Sequence, residues 1–224
     1  MEIGDWSPLC YFFTETRATS ITKRRQVGAL QNMFFLTEPS PQTIAEFIES
    51  QKALPFTYQG VGATNGSPIP HGYIVDHNRV QLGQGAAVYQ CACAALREWK
   101  QFDLGWVDIV PRGVPVEVGA TVTVKARALG TWSLSAARVV YLINEEGPSK
   151  RFGFAYGTLP CHVESGEERF TIEYNGERDL VCYDILAFSR PRHPLVRLSF
   201  PLARMLQKRF AKESMQRMVR ECGG

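Results

Sequence analysis

The 224-residue sequence has few of the residues from which recognisable catalytic and metal-binding signatures are built. Its four histidines (His71, His77, His162, His193) are scattered, and its six cysteines (Cys10, Cys91, Cys93, Cys161, Cys182, Cys222) form neither a C-x-x-C pair nor any paired metal-ligand spacing. That argues against a zinc module or a disulfide framework, and it predicts reduced thiols. No G-x-S-x-G elbow, H-E-x-x-H pair or phosphate loop occurs. No run approaches the roughly 18–20 apolar residues that a membrane helix needs. The first residues, MEIGDWSPLCYFF, carry Glu2 and Asp5 where a secretory signal would be basic. The expectation is a soluble, cytoplasmic protein with no metal and no cofactor.

What the sequence does have is enough apolar residue for a full core: 45% are hydrophobic and 21% charged, as in one ordinary globular domain. The formal charge of +3 conceals an asymmetry. From Arg190 onward nine basic residues stand against Glu213 and Glu221, a local net charge of +7, while the first 189 residues carry −4. A basic terminal segment fits a solvated helix face or an anionic membrane surface, with Met205, Met215 and Met218 as soft apolar contacts. Nucleic acid is not expected, because aromatic residues do not interleave with the basic ones as a stacking platform requires.

Periodicity orders the chain. SPQTIAEFIES predicts a short helix, with Ser40 as cap, Pro41 in the first turn, and Ile44, Phe47 and Ile48 on one side. A strand is expected near Phe56 to Val61, followed by an extended loop through GATNGSPIPHGYIVDHN. Val88, Ala92, Ala95, Leu96, Trp99 and Phe102 recur at helical spacing from Gly85 to about Phe102. Six strand-like runs then follow, GWVDIV, ATVTVKARAL, SLSAARVVYLI, RFGFAYGTL, ERFTIEY and DLVCYDILAFS, separated by short turns that favour antiparallel neighbours. After Pro191, Leu195, Leu198, Leu202, Leu206 and Phe210 form a helical stripe.

A sheet with one apolar face needs a cover, and the final helix is the sizeable element left to provide it. This α+β succession resembles the helix-grip fold of the START and Bet v 1-like superfamily, in which a curved sheet of about seven strands wraps a long C-terminal helix. The resemblance implies a cavity between sheet and helix. The rival is a hot-dog fold wrapped around residues 85 to 102. One domain is expected, with residues 1–54 as an N-terminal extension holding a short helix and 55–222 as the core. The motifs FGFAYGTLP, GEERF (166 to 170), AFSRP (187 to 191) and LGQG (82 to 85), with Trp99, are similar to those of an uncharacterised bacterial and plant family, a domain of unknown function. The likeness runs from about Phe56 to Arg209, and Cys161 departs from it where a small residue such as glycine is expected. That family implies a shared fold and transfers no activity.

Candidate site residues follow from strand alternation. Phe152, Phe154 and Tyr156 point to one face while Gly153, Ala155 and Gly157 point to the other, leaving a trough that is either a pocket floor or a close-packing surface. Arg138 and Asp184 are charges inside otherwise apolar runs, expected to pair or to anchor a ligand. Arg190 and Arg192 could meet an anionic group at the cavity mouth. His162, Glu164, Glu167 and Glu168 read as a solvated hairpin turn around Ser165-Gly166, and His71 and His77 as loop histidines. These features support a binding protein for a small apolar or amphipathic ligand, with no catalytic residue identified. The alternatives are a cyclase- or hydrolase-like enzyme using Tyr156, Arg138 and Asp184 in the same cavity, and a peripheral membrane protein using the basic helix.

Overall fold

Alternating side chains build most of this molecule, a computed structural model that describes residues 33–192 and 200–223. His193, Leu195 and Leu198 lie outside the described residues. A two-residue strand β1 (Phe34–Phe35) and helix α1 (Pro41–Gln51) precede β2 (Ile74–Gln84), α2 (Gly85–Arg97) and β3 (Val107–Val110). Strands β4 (Thr121–Ala128), β5 (Thr131–Glu145), β6 (Ser149–Thr158), β7 (Glu164–Asn175) and β8 (Leu180–Pro191) follow, and helix α3 (Phe200–Cys222) ends the chain. Every pairing is antiparallel, in the order β2-β8-β7-β6-β5-β4-β3, with β1 added alongside β5. The last strand pairs with the first long one, so the chain leaves β8 from within the sheet and α3 lies against its inner face. This is the helix-grip arrangement. Helix α2 packs instead across the C-terminal half of α3, where Ala92 and Leu96 share a core with Met218 and Cys222.

The inner face is apolar where the helices meet it. Phe154, Phe170, Ile172, Tyr183 and Ile185 face Trp99, Phe102 and Met218, with Trp99 edge-on to Phe154 at 4.7 Å between ring centroids. Tyr183 places its hydroxyl 3.1 Å from Ser214 Oγ of α3, so each of these two buried hydroxyls has a partner.

Two features differ from the sequence reading. Residues 57–60 form bends and 61–62 a turn rather than a strand, and the strand lies at 74–84, beginning inside the stretch 62–78 expected to be loop. Polar residues sit on both of its faces, Asp76 and Asn78 toward the cavity and His77 and Arg79 toward the outside, which erases the apolar alternation that marks a strand. The sheet is also covered on its outer face. Helix α1 packs Ile44, Phe47 and Ile48 on Leu134, Ala136, Leu159 and Cys161, and the 56–73 segment packs Tyr58, Ala63 and Tyr73 around Phe188.

Glu167 fastens that outer segment. It is 2% exposed, and its carboxylate accepts from Tyr58 Oη at 2.7 Å, Gly62 N at 2.7 Å, Thr64 N at 3.0 Å and Thr64 Oγ1 at 2.5 Å. Burial and the adjacent Glu167 hold the Tyr58 hydroxyl well above its ordinary pKa, so it stays a donor. The expectation of a turn with solvated acids is therefore corrected here: β7 begins at Glu164, and a carboxylate with four donors is buried in spite of its polarity. Replacing Glu167 with Ala leaves those donors without an acceptor and costs about 3 kcal/mol of unfolding free energy. Urea denaturation of the variant measures this, and a loss under about 0.5 kcal/mol would show that Glu167 does not hold the segment.

Candidate ligand cavity

The two halves of α3 contact the sheet by different means. The C-terminal half packs, through Ser214, Met218 and Cys222, whereas the N-terminal half is held off by polar side chains. Arg204 makes a two-pronged contact with Asp76 on β2, at 2.5 and 2.7 Å. Gln207 Nε2 donates to Glu164 Oε2 at 2.5 Å and to Ser189 Oγ at 3.0 Å. Between this half-helix and the sheet lies a cavity of about 570 Å³. Leu202, Leu206, Phe210 and Met215 line it from the helix, and Val124, Ala126, Ile185 and Ala187 from the sheet. Its volume is in the range of small-molecule sites, roughly 300–1,000 Å³.

Polar groups converge at one part of this apolar space. Tyr156 Oη donates to Glu168 Oε2 at 2.7 Å. Burial pushes the Glu168 carboxyl up to about 7; the Tyr156 hydrogen bond opposes the shift, and the like charges of Glu164 and Asp76 add to it. Burial likewise raises Glu164, against the hydrogen bonds from Ser189 and Gln207. Asp76 is held below its usual range by the hydrogen bonds from Arg204, and among the described residues it is the one of the three carboxylates in an ion pair. His162 also lines the cavity; burial lowers it to about 4, and its Nδ1 accepts from Glu164 N at 3.1 Å. Near neutral pH the cavity therefore offers a neutral imidazole, a phenol and a carboxyl poised between its two states.

Of the eight residues put forward from the sequence as trough or ligand anchors, Gly153, Ala155, Tyr156, Gly157, Arg138, Asp184, Arg190 and Arg192, Tyr156 lines this cavity and the other seven lie elsewhere. Gly153, Ala155 and Gly157 face the outer side. An added Cβ at Gly157 would come 2.2 Å from the Tyr58 hydroxyl, and one at Gly153 would meet Phe170 O at the same distance, so the trough is filled by close packing. Arg138 and Asp184 do not meet, because β6 and β7 separate their strands. Arg138 instead closes the C-terminus of α1, donating to Gln51 O at 3.1 Å and Lys52 O at 2.6 Å. Asp184, 1% exposed, pairs with Arg169 at 2.9 Å and with His77 at 2.7 Å on the outer face. Arg190 lies over the Tyr73 ring, and Arg192 donates to Pro160 O at 3.0 Å.

The groups that sequence reasoning missed are Glu168, Glu164 and Asp76. A signal was present in the alternation that sends Glu167 and Glu168 to opposite faces, since Glu168 shares the face of Phe170 and Ile172.

Residues 57–217 match the family described as Domain of unknown function (DUF1990). The chain is 36% identical over 208 residues to a UPF0548 protein of Dictyostelium discoideum, covering 85% of this chain and 96% of that one. It is 34% identical over 203 residues to a UPF0548 protein of Deinococcus radiodurans, covering 85% and 100%. Among solved structures, human STARD10 aligns with a TM-score of 0.41 at 13% identity over 83% of this chain and 80% of its own. The protein Ara h 8.0201 aligns with 0.39 at 9% identity, over 66% and 99%.

The raised Glu168 carboxyl makes stability depend on pH in a definite direction. The folded chain holds this proton more tightly than the unfolded chain, in which the pKa is near the ordinary 4.5. Folded-state stability then declines as pH rises from about 4.5 to about 7, and the loss is complete above that window. Glu168→Gln removes this contribution. Urea midpoints of the two proteins measured across the window should converge at its acid end and separate, with the variant more stable, at its neutral end. Parallel curves would mean that Glu168 titrates normally.

Proposed function

The chain belongs to the family described as Domain of unknown function (DUF1990), and on that premise we propose that it is a small-molecule binding protein. The ligand is apolar or amphipathic and is held between the sheet and the N-terminal half of α3. The observation that carries this reading is the cavity itself: about 570 Å³ of mostly apolar wall with the Glu168–Tyr156 pair, Glu164 and His162 converging on it. An apolar body gains by leaving water for such a space, and the polar groups fix its orientation.

A second reading is supported by the same pair. A carboxyl that titrates near neutrality, hydrogen-bonded to a tyrosine in an apolar cavity, is suited to give or accept a proton on a bound molecule. An enzyme of this kind would use Tyr156 and Glu168, since Arg138 and Asp184 are engaged on the outer face.

Ala187 lines the cavity beside Glu168 in the strand register, so Ala187→Trp places an indole in the space the ligand would take. Native mass spectrometry of the protein isolated from its own cells should show a bound small molecule. An environment-sensitive apolar dye should bind the original protein, and its affinity for the tryptophan variant should fall about tenfold or more. Equal dye binding by both proteins, with no small molecule retained, would remove the reading.

A further inference from the structure

The hairpin between β4 and β5 ends in a residue that the fold alone does not favour. Ala128 pairs with Thr131, so the turn consists of Leu129 and Gly130, with φ of 52° and 77°. Two successive positive φ angles define the type I′ turn, whose first position suits Asn or Asp and whose second suits glycine. Leucine has no polar side chain to offset the left-handed backbone, and its Cβ makes that conformation unfavourable. Leu129 is also 74% exposed. One residue thus carries both a backbone and a solvation penalty without a compensating burial, and such an outlier points toward function.

Its surroundings say what kind. The β1–β5 register sets Phe35 opposite Trp132, which brings Leu36, 86% exposed, next to the turn. Phe34, 50% exposed, lines the cavity together with Leu129, so these apolar residues form one rim of its mouth. From the helix side, Lys208 and Lys212 line the same cavity and are exposed. Arg204, Arg209 and Arg217 of α3 are paired with Asp76, Glu213 and Glu221, whereas Lys208 and Lys212 have no ion pair among the described residues. No helix among the described residues is long and apolar enough to cross a membrane.

We propose that the cavity mouth docks on an anionic phospholipid bilayer, with Leu129, Leu36 and Phe34 entering the acyl boundary and Lys208 and Lys212 meeting lipid phosphates. An apolar tip with adjacent unpaired cations is what an interface of this charge takes up, and neither half binds stably alone. The surface goes beyond the ligand-binding reading and does not require the cavity to be filled. It would open that cavity toward lipid.

The test is vesicle flotation of the full chain on phosphatidylcholine, with and without phosphatidylserine. The protein should float with the anionic vesicles at low salt and much less at high salt. Leu129→Asn installs a residue suited to the turn, so its thermal midpoint should equal or exceed the original while flotation falls about tenfold or more. Replacing Lys208 and Lys212 with Gln should remove the salt-sensitive part. The proposal is overturned if the original protein does not float on anionic vesicles, or if Leu129→Asn floats equally well. It is also overturned if that variant instead converts a dimer to a monomer in sedimentation, which would make the rim an interface between copies. Leu36→Asn, at an exposed rim residue that does not line the cavity, should lose flotation while binding the dye as the original protein does, which keeps failure of docking distinct from failure of the cavity reading.

Discussion

Everything distinctive in this molecule depends on α3 meeting the sheet in two ways. Its C-terminal half is packed, with Met218 and Ser214 fully buried against a core that includes Tyr183 and α2. Its N-terminal half reaches the sheet through the long side chains of Arg204 and Gln207, which span a gap that apolar packing would close. The void is therefore a consequence of where polar partners were placed. Had Asp76 and Glu164 been apolar, the helix could have settled onto the sheet and left no room.

The carboxylates show how one residue type serves opposite ends. Glu167 and Glu168 are neighbours on β7, and the strand sends them to different faces. Glu167 meets four donors and becomes the fastening point for the outer segment. Glu168 has a tyrosine hydroxyl, and burial raises its pKa. The difference lies in how many donors the surroundings supply. Similarly, Asp184 on the outer face is surrounded by Arg169, His77 and Arg79, so its burial is compensated and structural.

The strands from Val107 to Pro191 and the terminal helix were legible because their periods are clean: each alternates or repeats over enough residues to outweigh local noise. Strand β2 was not, since Asp76 and Asn78 face a cavity rather than a packed core and so remove the apolar half of the pattern. The small residues Gly153, Ala155 and Gly157 were visible as a run, yet what closes on Gly157, Tyr58, lies about a hundred positions away and comes from a loop with no periodicity of its own, while Gly153 is closed by the backbone of β7. The Ser165-Gly166 pair resembled a turn because composition counts residues and ignores their partners.

Local pattern by itself determined the elements from α2 to α3 and the antiparallel run of β3 to β8, because helical periodicity, side-chain alternation and hairpin turns act between near neighbours, whereas β2 joins β8 across about a hundred positions. Tertiary structure alone decided which acids were buried, which cations were left unpaired and where empty space remained. Those outcomes turn on contacts between residues far apart in the chain, and a carboxylate's surroundings, more than its identity, set whether it holds a loop, carries a proton or meets water.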